Sequence, residues 1–351
     1  MRFVANGQTG DVVTSVRATA PVRVFDAGGW TDTWFAGGGF VCHLAVGPGA
    51  EVVASLVGEG PPAKRHVWLR VPAYGDDYDF PLDQPPGRHP LLEAALRRFA
   101  PARASLEVNV ESSVPAGSSL GTSASVGVAL VAALRALDGS PTSPAELARA
   151  AHDLETKDLG RQSGVQDHVA AAFGGASLVR VSPYPHFEVE PLPLAPATEQ
   201  ALGKRVVTAY LGAFHDSSAV HETVIAHLEG DSATAERLLQ PMREAAKRAA
   251  RALVAGDLGS YGRAMVANTE AQAGLHPSLV NPLAREVIAA GAGAGALGWK
   301  VNGAGGPGGT VTLLASEGAE AKMVEQVEAV AGVQVLDLRP SPAGARVVVT
   351  G

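Results

Sequence analysis

Residues 114–125 read VPAGSSLGTSAS and run directly into VGVALVAALRAL. The first stretch holds two glycines and five hydroxyl side chains, with no charge and no aromatic ring. The second places Val126, Leu130, Leu134 and Leu137 at helical spacing, and no charge interrupts it before Arg135. It therefore predicts a helix buried over most of its circumference. The first turn of such a helix leaves backbone N–H groups without intrahelical partners, at the positive end of the helix dipole. Two readings follow. The loop is a glycine turn with a helix cap, or it is an anion cradle whose glycines let the backbone approach phosphate oxygens while its hydroxyls donate to them or reach a metal ion. It is not a P-loop, because Gly121 is followed by Thr122 rather than lysine. Nor does its spacing fit the dinucleotide fingerprint.

Working outward, the 351 residues exceed a typical single domain and predict two. At 46% hydrophobic and 18% charged, the chain has ample material for a core. The formal charge of -7, with no basic stripe or interleaved aromatic run, argues against a nucleic-acid partner. The single cysteine, Cys42, excludes an internal disulfide and a cysteine-rich metal site. MRFVANGQTG lacks an apolar signal core and no segment reads as a membrane span, so the expectation is a cytoplasmic protein without membrane contact.

Strands are predicted at 15–25 (broken at Pro21), 41–57, 66–71 and in LEVNVES, where Leu106, Val108 and Val110 face inward. Between the first two lies glycine-rich DAGGWTDTWFAGGG, a stretch of turns and close backbone approach. Helices are predicted at HPLLEAALRRFA, at SPAELARAAHDLETKDLG capped by Ser143, and at GVQDHVAAAFGG, the last leading into a strand. The proline-rich VSPYPHFEVEPLPLAPAT marks the boundary between a unit of residues 1–190 and one of 191–351. Beyond it RVVTAYLG is strand-like, helical patterns cover 236–255, 257–272 and NPLAREVIAAGAGA, and KVNGAGGPGGTV places a second glycine loop between two strands. A helix at EGAEAKMVEQVEAVAG and two last strands, VQVLDLRP and ARVVVTG, complete an α+β pattern. No internal repeat is found. His215, His221 and His227 recur at six-residue intervals, which do not share a helical face, so no metal site is expected there.

APVRVFDAGGWTDT, VPAGSSLGTSAS and KVNGAGGPGG stand in the order of the three motifs of the GHMP small-molecule kinases, among them galactokinase, homoserine kinase and mevalonate kinase. The chain resembles that superfamily over nearly its whole length. GGWTDT and GVQDHVAAAFGG further resemble stretches of the L-fucose kinases and the bacterial heptose-phosphate kinases, which phosphorylate an anomeric hydroxyl. The resemblance implies a ribosomal protein S5 domain 2-like N-terminal domain, a ferredoxin-like C-terminal domain and a site in the cleft between them. It implies ATP and Mg²⁺ as cofactors and a sugar, sugar phosphate or cyclitol as acceptor.

By the same resemblance Asp167 is the catalytic carboxylate and Arg23 the cation beside it. Gly29, Trp30, Thr31 and Asp32 meet the acceptor. Pro115, Gly117, Ser118, Ser119, Gly121, Thr122 and Ser123, with Gly303, Gly305 and Gly306, wrap ATP. Ser123 and Glu155 hold the metal. Four departures stand out: Ser119 where glycine is common, Pro307 within the second glycine run, His168 after the aspartate where glutamine is usual, and FHDSS where related sugar kinases carry an arginine. Trp30 and Trp34 flank Asp32 and either stack on a sugar or close the core beneath the glycines. A galactokinase-type or other GHMP kinase acting on a different small alcohol, and a non-catalytic sugar- and ATP-binding regulator, are the alternative readings.

Overall fold

A computed structural model describes residues 14–59, 65–102, 104–140, 142–212 and 218–350. His215 and nearly all of FHDSS lie outside the described residues, as does MRFVANGQTG.

The first sheet begins with β1 (Ser15–Ala27) and the long β2 (Gly39–Glu59), followed by β3 (His66–Val71) and β4 (Asp76–Pro81). Helix α1 (Pro90–Phe99), β5 (Ala104–Ser112), α2 (Thr122–Leu137), α3 (Pro144–Asp153) and α4 (Gln166–Phe173) come next. The hairpin of β6 (Ala176–Val181) and β7 (Phe187–Pro191) closes this part. The 21-residue β2 pairs with β1 along its length, with β5 through residues 50–59 and with β6 through residues 39–44. Pro21 does not break β1; the strand carries a register shift between Ala20 and Val22, where a missing N–H is tolerated.

The α2 pattern behaves as its sequence requires. Ala124, Ser125 and every residue from Gly127 to Leu134 are buried. The Ser125 hydroxyl donates to Ala20 O at 2.8 Å and accepts from Ala50 N at 3.1 Å, fixing the helix start to β1 and β2. Leu106, Val108 and Val110 of β5 face the same core.

The second sheet follows α5 (Pro196–Arg205). It contains β8 (Val206–Tyr210), then, after α6 (Ser218–Gly230), α7 (Ser232–Val254), α8 (Leu258–Leu275) and α9 (Pro282–Ala294), β9 (Ala296–Val301) and β10 (Thr310–Ala315). After α10 (Glu320–Glu328), β11 (Gln334–Leu336) completes the antiparallel order β11-β8-β10-β9. Strand, helices, two strands, helix, strand is the succession of a ferredoxin-like unit.

The chain then turns back. β12 (Arg339–Pro340) pairs with β2, and β13 (Arg346–Thr350) pairs with β1 along the free edge of the first sheet. The two strands expected at the C-terminus therefore divide between the sheets, and residues 339–350 join the first. A shared core ties the halves together: Val22, Phe25 and Leu44 pack with Ala246, Leu253, Tyr261 and Met265 of α7 and α8. Among the described residues no helix is long and apolar enough to cross a membrane.

Candidate active site

The loop from β5 to α2 takes its shape from its glycines. Gly117 and Gly121 adopt left-handed φ of 74° and 75°. Gly121 is the N-cap of α2 and no side chain caps the helix, so its first N–H groups remain for another acceptor. A Cβ on Gly121 would stand 3.0 Å from the Asp167 carboxyl carbon, so position 121 is closed to side chains by geometry and by φ. Gly117, Ser119, Gly121, Thr122 and Ser123 line a cleft of about 660 Å³ whose far end is apolar, with Val71, Tyr74, Pro90, Leu91 and Val110. Ser118 also borders the cleft, but its side chain is buried, with its hydroxyl 3.2 Å from the Thr122 hydroxyl and its carbonyl accepting from Thr310. Pro115 does not line the cleft; its carbonyl accepts from Ser118 N and shapes the turn.

Ser119 holds φ of 59°, a left-handed position where glycine would be unstrained. Its side chain does not narrow the loop. It packs against the second glycine loop, where Cβ atoms on Gly303 and Gly309 would lie 3.1 Å from Ser119 Cβ and 2.8 Å from Ser119 Oγ. Glycines in one loop thus make room for the serine in the other. Gly303, Ala304, Gly305 and Pro307 face the cleft. Gly306 does not: its N–H donates to Leu279 O and its carbonyl accepts from Asn281 at 2.6 Å, anchoring the loop from behind.

Arg23 and Asp167, 144 residues apart, meet at 2.8 Å between Nε and Oδ1. Arg23 is buried and also donates to Ser119 O, with Asp26 Oδ2 3.9 Å from its other terminal nitrogen. Burial works against its charge, but Asp167 and Asp26 more than compensate and hold the guanidinium charged. Beneath it lies a network that the sequence reading missed. Asp26 Oδ2 accepts from Gly303 N at 2.9 Å, and Oδ1 lies 3.5 Å from buried Lys300, which donates to Gln272 at 2.9 Å. Lys300 is a lone cation in a mostly apolar strand immediately before the glycine loop, a signal that was there to be read.

A second cavity of about 250 Å³ opens on the other side of the same pair. Trp30, Trp34, Phe35 and Ile225 form its apolar wall; Asp32, Thr33, Gln162, Ser163 and Gln166 supply polar groups. Asp32 is buried, and its Oδ2 accepts from Gln166 N at the start of α4 at 3.0 Å. Burial raises its pKa to about 6, opposed by that N–H and reinforced by the charge of Asp167. A Cβ on Gly164 would come within 2.2 Å of the Asp32 carboxylate, so that glycine lets α4 close onto it.

Trp30 and Asp32 thus border the pocket, whereas Gly29 and Thr31 do not. Thr31 is buried, and its hydroxyl donates to Gly28 O at 2.7 Å and accepts from Phe40 N, holding the turn. Gly29 sits against Asp26 and Gln166, where a Cβ would be 3.0 Å from Asp26 Oδ2. Trp30 binds Ala304 O through its indole N–H, tying the turn to the second glycine loop. Phe35, Gln166 and Ile225 were not singled out from the sequence; only the fold gathers them.

α3 ends in a π-turn over Leu154–Asp158 that swings Glu155 inward beneath Ser123. His168 Nε2 lies 3.3 Å from Glu155 Oε2, and both side chains are buried. Burial alone would raise Glu155, but His168 and the Ser123 and Ser163 hydroxyls hold its pKa at about 2. Burial likewise works against the His168 charge and Glu155 overcomes it, so His168 is a structural partner of the glutamate. Oε1 of Glu155 is buried with no hydrogen bond of ordinary geometry. An orphaned carboxylate oxygen beside a cleft-facing serine hydroxyl fits a hard cation such as Mg²⁺, which takes few protein ligands and completes its shell with phosphates and water.

The chain is similar to known proteins in sequence and in fold. Residues 90–175, from α1 through the loop to the end of α4, match the family described as GHMP kinases N terminal domain. A mevalonate kinase from Archaeoglobus fulgidus is 40% identical over 94 residues, 26% of this chain and 32% of that protein. A D-glycero-alpha-D-manno-heptose 7-phosphate kinase from Campylobacter jejuni is 27% identical over 165 residues, 47% of this chain and 48% of that protein. The matched stretches thus span from about a third to about half the length of these two relatives. The crystal structure of a D-glycero-D-manno-heptose 1-phosphate kinase from Bacteriodes thetaiotaomicron superposes with a TM-score of 0.74 at 21% identity, covering 95% of this chain and 98% of that one. Residues 90–175 therefore match the N-terminal domain of the GHMP kinases, and the chain has the two-domain α+β fold found in them.

Proposed function

We propose that the protein is an ATP- and Mg²⁺-dependent sugar kinase, transferring the γ-phosphoryl group of ATP to a hydroxyl, by the resemblance an anomeric one, of a sugar or sugar-like compound. One observation carries this reading: the glycine-lined cleft and the smaller pocket share Arg23, Asp167, Gly303 and Ala304, so a nucleotide in one would point its terminal phosphate at a hydroxyl in the other. The named relatives, two heptose phosphate kinases and a mevalonate kinase, are consistent with transfer to a small alcohol.

In this scheme the apolar end of the cleft receives the base. The N–H groups at the start of α2 and the backbone of both glycine loops receive the phosphates. Asp167 has Oδ1 engaged by Arg23 and leaves Oδ2 to accept the acceptor's hydroxyl proton as its oxygen attacks phosphorus and ADP departs. Arg23 orients that carboxylate and offsets charge developing on the transferred group. Ser123 and Glu155 would hold Mg²⁺, which when bound neutralises phosphate charge.

The test is ADP release over a panel of neutral sugars, sugar phosphates, cyclitols and mevalonate, with phosphorus NMR of the product. An anomeric phosphate signal supports the full reading, and a non-anomeric ester removes the anomeric assignment. ATP and sugar binding without ADP release from any acceptor would favour the non-catalytic regulator.

A further inference from the structure

The pocket beside Asp167 has an unusual balance of charge and hydrogen-bonding groups. Among the described residues lining it, Arg23 is the only lysine or arginine; its Nε binds Asp167, one terminal nitrogen binds Ser119 O, Asp26 lies 3.9 Å from the other, and in the kinase scheme its charge serves the transferred phosphoryl group. Two carboxylates, Asp32 and Asp167, face the same space. On α6 the lining residue Ile225 lies three and four positions from Glu222 and Glu229, which share its helix face, and Glu229 already holds the Trp34 indole. Helix α6 carries no lysine or arginine.

One group in the uncharged polar wall lacks a partner. Gln166 is 6% exposed, and its Oε1 has no hydrogen-bond partner. A buried amide oxygen left unpaired costs about 1–3 kcal/mol, so a ligand that donates to it is strongly favoured. The carboxylate oxygens add further acceptors. Trp30, Phe35 and Ile225 offer an apolar wall. The cavity of about 250 Å³ is smaller than the ~300–1,000 Å³ range of drug-sized pockets, which suits a single small ring.

We infer that the acceptor is a neutral polyol, an unphosphorylated sugar or cyclitol, and that the pocket rejects acceptors already carrying a phosphate or carboxylate. This rests on the kinase reading above for the identity of the pocket as an acceptor site. Hydroxyls donate to Gln166, Asp32 and Asp167, and the C–H face of the ring lies on the aromatic wall. A phosphate dianion brings negative charge to a wall that holds two carboxylates and, among the described residues lining it, no lysine or arginine besides Arg23.

The experiment pairs neutral hexoses, 6-deoxyhexoses, heptoses and cyclitols with their own phosphate monoesters, and adds mevalonate as a carboxylate. Turnover with ATP and binding by tryptophan fluorescence are measured for each. The expected result is a neutral member whose kcat/KM exceeds that of its phosphate ester by at least ~100-fold, the size of an uncompensated like-charge contact. Gln166→Ala should raise KM for that neutral acceptor ~10-fold while leaving KM for ATP unchanged. A phosphate ester or mevalonate used as well as any neutral compound would overturn the inference and leave the kinase reading standing. Neutral sugars that bind selectively without turnover would uphold the selectivity and overturn the kinase reading instead. Binding of phosphate esters as tight as that of their parent sugars, with no turnover of either, would overturn both.

Discussion

The glycine-lined cleft and the smaller pocket meet at one ion pair but are made of different material. The glycine-rich end of the cleft is backbone: the uncapped start of α2, Gly117 and Gly121 on one side, Gly303 and Gly305 on the other. The pocket is side chain: Trp30, Asp32 and Phe35 from one turn, Gln166 and Asp167 from α4, Ile225 from α6. Backbone binding needs small residues in an unbroken run, so it leaves a short local pattern. Side-chain binding needs groups from distant positions, and each is ambiguous until the fold collects them.

The largest effect should come where the two regions touch. Asp167→Asn keeps the shape of the side chain but removes the base and the counter-charge of Arg23. We expect kcat to fall by ~10²–10⁴, with ATP affinity held within a few-fold, measured by single-turnover kinetics beside nucleotide titration. An equal loss of ATP affinity would mean that cleft and pocket do not act as separable parts.

Lys300→Met probes the support beneath that meeting point. It leaves Asp26 buried with Arg23 at 3.9 Å as its nearest cation and breaks the bond to Gln272. Removing one partner of such a pair should destabilise by ~3–5 kcal/mol, read from urea unfolding. Lys300→Met, Asp26→Asn should recover part of that loss, since the stranded charge is gone.

The same contrast separates what the sequence made legible from what it did not. The cradle at 114–125, the buried α2 and the second glycine loop could be read because each is local in sequence. Asp167 and Arg23 were assigned by resemblance, and the fold brings them together. A hydroxyl or glycine beside Asp32 looks the same in sequence whether it meets a ligand or a carbonyl, so the places of Thr31 and Gly29 behind the pocket lining could not be read. The Thr31 hydroxyl proved to be held by Gly28 and Phe40. Nothing in GVQDH reveals that the amide oxygen of Gln166 is buried and unpaired. The return of β13 to β1 was hidden because ARVVVTG has strand character but does not name its partner.

Asp32 sharpens the comparison through pH. Its folded pKa of about 6 lies above the ordinary 3.8, so the native state favours the protonated form. That contribution is complete below the unfolded value and is lost as pH rises through about 6, a drop of ~2–3 kcal/mol at most. Glu155, held at about 2, acts in a separate window, its contribution being lost as pH falls below the ordinary carboxylate range. Asp32→Asn should therefore flatten the stability profile between about pH 4 and 6 and leave the acid limb. In the wild type, KM for the acceptor should fall as Asp32 ionises through about pH 6 while KM for ATP stays flat. Parallel changes in both KM values would assign the titration to the nucleotide side.

The smallest effect tests the seam between the two glycine loops. Ser119→Gly removes a side chain held at left-handed φ, relieving ~1–2 kcal/mol of strain, but gives the unfolded chain freedom worth ~0.5–1 kcal/mol and loses the contacts to Gly303 and Gly309. The Arg23 bond to the carbonyl of residue 119 survives, since it is backbone. Stability should move by no more than ~1 kcal/mol in either direction. Gly309→Ala, by contrast, sets a methyl group 2.8 Å from Ser119 Oγ at a φ of 77° and should destabilise clearly. If the serine and the glycine are fitted to each other, the double variant Ser119→Gly, Gly309→Ala loses less than the sum of the single variants, leaving only the backbone strain at 309. A coupling of ~1 kcal/mol or more in that cycle, measured by thermal or urea unfolding, is the expected result. Strict additivity would mean that the serine merely borders the glycine loop rather than being housed by it.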